Sequence, residues 1–97
     1  MAWYRAMLRG ENLFMRLNGK IGRWGFYTTR WVKALSADDA ERQAVEVVRN
    51  DAELRPQLLN TIDDQPIIYI EELAEVDEQD VPDIQKGFTF FPGEANA

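Results

Sequence analysis

The sequence predicts an α+β fold: an antiparallel sheet of four to five strands in the order βββα(α)ββ, with one main helix packed on one face. Three observations predict it. Apolar and polar residues alternate at period two over residues 3–9, 13–17 and 20–34, the spacing of half-buried strands. Asn18-Gly19 lies between two such runs, and both residues tolerate the positive φ that a two-residue type I′ hairpin needs. Residues 36–50 then change to helical spacing.

Taken in order, Tyr4, Ala6 and Leu8 point one way from the first strand, and Trp3, Arg5, Met7 and Arg9 the other. Gly10-Glu11-Asn12 reads as a turn. Leu13, Met15 and Leu17 line one side of a second strand. The third strand runs from Lys20 to about Ala34, with Gly22 and Gly25 marking a bulge or twist near its start. Phe26, Thr28, Val32 and Ala34 share one of its faces, and Tyr27, Thr29, Trp31 and Lys33 the other.

Ser36 is an N-cap, followed by Asp38 and Asp39 in the first turn where the helix dipole favours negative charge. Ala37, Ala40, Ala44, Val47 and Val48 form its apolar stripe, and Asn50-Asp51 ends it. Residues 52–59 add a short helical turn limited by Pro56, with Leu54, Leu58 and Leu59 packing beneath. A loop over 61–66 leads to a strand from Ile67 to Val76. An acidic loop over 77–86 precedes a last strand from Gly87 to Phe91, stopped by Pro92. The domain is expected over 1–92, with 93–97 as a flexible tail.

Composition narrows the chemistry. The chain has no Cys and no His, and Ser36 is its only Ser. Thiolate zinc sites, Cys nucleophiles and Ser-His-Asp arrangements are therefore excluded. No cofactor is expected, and no enzymatic activity. Asp63-Asp64 and the set Asp77, Glu78, Asp80, Asp83 offer oxygen ligands, but neither has EF-hand spacing. Glu71-Glu72 is not expected to act as a carboxylate pair, because neighbours on a regular strand point to opposite faces. Gly19, Gly22 and Gly25 precede no helix, so they form no phosphate loop. No stretch has signal-peptide or membrane-span character, and a cytoplasmic location is the expectation.

The charge is polarised. Residues 1–35 hold seven basic residues against Glu11 alone, whereas residues 36–97 hold four basic and sixteen acidic ones. Internal neutralisation, with acidic elements beside basic strands, is the simplest account.

If the helix covers the face of Tyr4, Leu8, Met15, Phe26 and Val32, the opposite face carries Trp3, Arg5, Met7, Arg9, Phe14, Arg16, Arg23, Tyr27, Trp31 and Lys33. A face so apolar is seldom left to water. The leading expectation is a protein interface, most simply a homodimer joined sheet to sheet, with Trp3, Arg5, Arg9, Tyr27, Trp31 and Lys33 as its candidate residues. A second account has the last strand or the loop 77–86 fold back over this face, bringing Glu71, Glu72, Asp77, Glu78 and Asp80 beside the arginines. A third is binding of single-stranded nucleic acid on an aromatic, positive platform. The sequence pI near 4.5 weighs against that.

Three resemblances follow from particular residues. Lys86-Gly87-Phe88-Thr89-Phe90-Phe91 resembles part of the aromatic strand motif of RNA-recognition domains, but Pro92 stands where that fold requires the chain to continue to a helix. Arg9 to Glu11, Gly22 to Ala34 and Ile68 to Glu72 resemble small bacterial proteins of unknown function. Val32 to Val48, a strand leading through Ser36-Ala37-Asp38-Asp39-Ala40 into a helix, is similar to the βββα core of HicB-type antitoxins. That likeness implies a regulatory module binding a small basic protein. The Pro-Gly-Cys segment of that family has no counterpart in a chain without Cys.

Overall fold

The computed structural model describes residues 1–93. It has four strands, β1 (Ala2–Leu17), β2 (Lys20–Ala34), β3 (Ile67–Val76) and β4 (Thr89–Pro92), and one α-helix, α1 (Ala37–Arg49). Short 3₁₀ turns occupy Arg55–Gln57 and Glu78–Asp80. The strands form one antiparallel sheet in the order β3-β1-β2-β4, with α1 packed on one face. The α+β expectation is met with four strands. Residues 94–97, most of the expected tail, lie outside the described residues.

Asn18 and Gly19 adopt φ of 53° and 81° and join β1 to β2 with Leu17 paired to Lys20, as a type I′ turn requires. The expected turn at Gly10-Glu11-Asn12 is not a reversal. The chain runs straight through it, so the element order is ββαββ. Gly10 pairs with Phe26 and Leu13 with Trp24, three steps on β1 against two on β2. This bulge shifts the parity of the strand, carrying the inward set from Ala6 and Leu8 to Leu13 and Met15. Asn12 takes φ of 60° there, a conformation Asn tolerates better than most residues.

The bulge lies on β1, not on the glycine-bearing start of β2. Gly25 answers to a different need. A Cβ on it would lie inside the Phe91 ring of β4, so the glycine admits that close approach.

The core joins Ala6, Leu8, Leu13, Met15, Phe26, Val32 and Ala34 of the sheet to Ala40, Ala44 and Val48 of α1 and to Leu54. Ser36 caps the helix by accepting from the Asp39 N–H at 3.2 Å. Ala37 and Val47, expected in the apolar stripe, are exposed. Three small or β-branched contacts one helical turn apart are what the close approach to the sheet uses. Phe88 closes the core edge, meeting Phe26 edge to face at 5.0 Å and stacking on Phe90 at 5.6 Å.

Candidate functional site

The cross-strand register sets the composition of the open sheet face. Trp3 pairs with Lys33, Arg5 with Trp31, Met7 with Thr29, Arg9 with Tyr27 and Phe14 with Arg23. On the other side of β1, Arg5 pairs with Ala74, Met7 with Glu72 and Arg9 with Tyr69. All six candidate interface residues therefore share one face, away from α1. Tyr27 is 49% exposed and Met7 39%. Ile21, Ile67 and Tyr69 extend the exposed apolar surface along the same face. Arg5, Arg9, Trp3 and Trp31 are half-buried, and Lys33 is exposed. The Trp3 indole N–H is buried without a partner, so this ring lies beneath its neighbours.

The arginines are held. Arg5 Nη2 donates to Glu72 at 3.0 Å, and Arg9 Nε to Glu71 at 2.5 Å. Arg9 also bonds Glu11 and lies over the Tyr69 ring at 4.4 Å. The hydrogen bond that Arg9 donates to Glu71 raises the Arg9 pKa, against a smaller lowering by burial. At the other end, Arg23 Nη1 reaches Asp64 at 2.8 Å and Asn12 Oδ1 at 2.6 Å, and lies over Phe14 at 5.1 Å. Asn12 Nδ2 donates to Asp64 at 2.8 Å. The Asn12 hydrogen bond and then Arg23 hold the Asp64 carboxyl below its ordinary value.

Glu71 and Glu72 correct a sequence expectation. A second bulge, between the pairs Met7–Glu72 and Leu8–Ile70, leaves Glu71 unpaired and shifts the parity of β3. Both carboxylates then reach arginines of the same face. The rule that strand neighbours point apart holds only for a regular ladder. The bulge has a readable trace: the inward apolar set passes from Ile68 and Ile70 to Leu73, a step of three.

The account in which the last strand covers the open face is corrected as well. Phe88 and Phe90 pack on the helix side, and β4 meets only the rim of the open face, where Phe91 lies 5.3 Å from Tyr27. From the loop 77–86, Gln85 accepts from the Trp31 backbone N–H at 2.8 Å. Of the carboxylates that account places beside the arginines, Glu71 and Glu72 are there, brought by the neighbouring strand. The aromatic residues that resemble an RNA-recognition motif are thus core and rim groups, not an exposed platform.

Arg30 was not anticipated as a special residue. Its position in β2 is inward, and it is 1% exposed. Its guanidinium bonds Thr28 Oγ1, donates to Thr29 O at 3.0 Å and Gly87 O at 3.3 Å, and meets Asp51 at 3.4 Å. It also lies over the Phe88 ring at 5.0 Å. A lone Arg at an inward position of an alternating strand was the available signal.

Among the described residues, no group of three or more acidic side chains is placed to hold a metal ion. No helix among them is long and apolar enough to cross a membrane. No protein-family model, curated protein or solved structure matches this chain.

Proposed function

We propose that this chain is a non-catalytic binding protein that self-associates through the open sheet face as a homodimer. The observation that carries this reading is the exposed set Met7, Tyr27, Ile67 and Tyr69 on the sheet face away from α1, with Ile21 farther along the same face. Burial of that set against a second copy removes apolar surface from water. The same face carries Arg5, Arg9, Arg16, Arg23 and Lys33 beside Glu11, Asp64, Glu71 and Glu72, both signs in near-equal number. The chain as a whole has a net charge of −6. Two copies repel least through this locally balanced surface. A two-fold axis lying in the plane between the two faces can set arginine rows against glutamate rows, as a self-complementary interface needs.

The pairing of Arg5, Arg9 and Arg23 with carboxylates supports a protein partner over nucleic acid, because phosphate binding requires free cationic groups. Light scattering on a size-exclusion column, at low and high salt and with absorbance read for nucleic acid, tests the proposal. The expected result is a nucleic-acid-free dimer that persists in high salt and dissociates in Trp31→Ala. A strict monomer at all concentrations overturns it.

A second reading, a regulatory module binding a small basic protein, is favoured by the concentration of acidic residues in the second half of the chain.

A further inference from the structure

The two edges of the sheet differ. The β4 edge is four residues long and contains Pro92, which has no N–H to offer a further strand. The β3 edge is ten residues long, Ile67 to Val76, and contains neither Pro nor Gly. Its only neighbour in the sheet is β1. Among the described residues, no other backbone group or side chain bonds to the β3 backbone. Half of its N–H and C=O groups therefore point outward without a protein partner. A long, unprotected edge of this kind is a template for another strand.

The charge pattern selects which strand. β3 contains Glu71, Glu72 and Glu75 and no basic residue, and Asp77, Glu78 and Asp80 follow it directly. In antiparallel self-pairing, registers that match most of the strand set these glutamates against each other, and like charges directly opposite are destabilising. The edge thus discourages a second copy and favours Lys or Arg. The surroundings include cations, but each has a carboxylate of its own. Arg5 and Arg9 hold Glu72 and Glu71, Arg42 holds Asp39, and Arg49 holds Glu46. Glu75 has no ion-pair partner among the described residues. On the helix side, a cleft between α1 and β3 is lined by Glu41, Arg42, Val45, Glu46, Arg49 and Ile70. Alternate side chains of an added strand would enter it.

We propose that the outer edge of β3 binds an extended, basic segment of a partner protein by strand addition. Main-chain hydrogen bonds supply the affinity, and the unpaired Glu75 together with the Val45–Ile70 cleft supplies the selectivity. This inference gives the second reading above a place in the fold and is independent of the open-face dimer.

The test is amide hydrogen exchange on the full chain, with a capped ten-residue peptide alternating Lys and Val as probe and a Glu/Val peptide as control. The expected result is that those amides of residues 67–76 that are not bonded to β1 exchange at least about tenfold more slowly with the Lys/Val peptide. The β1-bonded amides stay unchanged and report an intact fold. Glu75→Gln weakens peptide binding by about threefold, the size of an exposed charge pair. Unchanged β3 exchange, protection confined to other segments, or equal protection by the Glu/Val peptide overturns the proposal. So does β3 protection that rises with protein concentration in the absence of peptide, which would assign the edge to self-pairing. Light scattering decides the open-face dimer separately.

Discussion

The two faces of this sheet use arginine in opposite ways. On the helix side, Arg30 is sealed in the core, and its donors are spent on Thr28, Thr29, Gly87 and Asp51. On the open side, Arg5, Arg9 and Arg23 lie over or beside aromatic rings and exposed carboxylates. The difference shows that residue type alone does not mark an interface. A buried arginine ties the last segment of the chain to the sheet. The half-exposed arginines, paired with carboxylates, leave Tyr27 and Met7 between them exposed.

Breaking each face should separate stability from association. The largest effect is expected from Phe26→Ala, which removes a ring that contacts Phe88 and packs over Gly10. A stability loss of about 4 kcal/mol should appear in urea unfolding. Arg30→Met should cost on the order of 3 kcal/mol, the low end for breaking a buried pair. The loss stays at that end because Asp51 keeps its hydrogen bonds from the Glu53 and Leu54 N–H groups. This variant should also loosen the Gly87 segment, visible as faster amide exchange there.

On the open face, Tyr27→Ala should weaken self-association by about 2 kcal/mol, roughly thirtyfold, as expected for an interface centre. Monomer stability in the same variant should fall by less than about 1 kcal/mol. A large stability loss without any change in association would reverse the assignment of the two faces.

The smallest effect concerns acid. The Asp64 carboxyl titrates below its ordinary value of 3.8. Its contribution to stability is therefore complete above that value and is lost as pH falls through the lower folded value. Asp64→Asn should narrow the gap to the parent as pH drops below about 4, measured by thermal unfolding across pH 2–6. A gap that does not depend on pH would mean that Asp64 acts only through its hydrogen bond with Asn12.

Much of this architecture was legible. The Asn18-Gly19 hairpin, the Ser36 cap, the long β2 strand and the open face of β1 and β2 follow from local conformational preference and period-two patterning. The face assignment holds although Gly10-Glu11-Asn12 is a bulge and not a turn. A turn and a bulge both account for the change of phase between Leu8 and Leu13, and only pairing against Phe26 and Trp24 distinguishes them. The same ambiguity hid the placement of Glu71 and Glu72 on one face.

The sequence by itself determined the period, the caps, the absence of histidine and cysteine chemistry, and the residues of β1 and β2 that share the open face. These are properties of short stretches, where backbone sterics and alternation act within a few residues. Only the tertiary structure decided that residues 2–17 form one strand, that the carboxylates beside Arg5 and Arg9 come from β3, and that Arg30 is enclosed beside Asp51 and Gly87. Each of these depends on which distant strand lies alongside. Pairing is settled by the burial and hydrogen bonding of the whole sheet, and no local window contains that information.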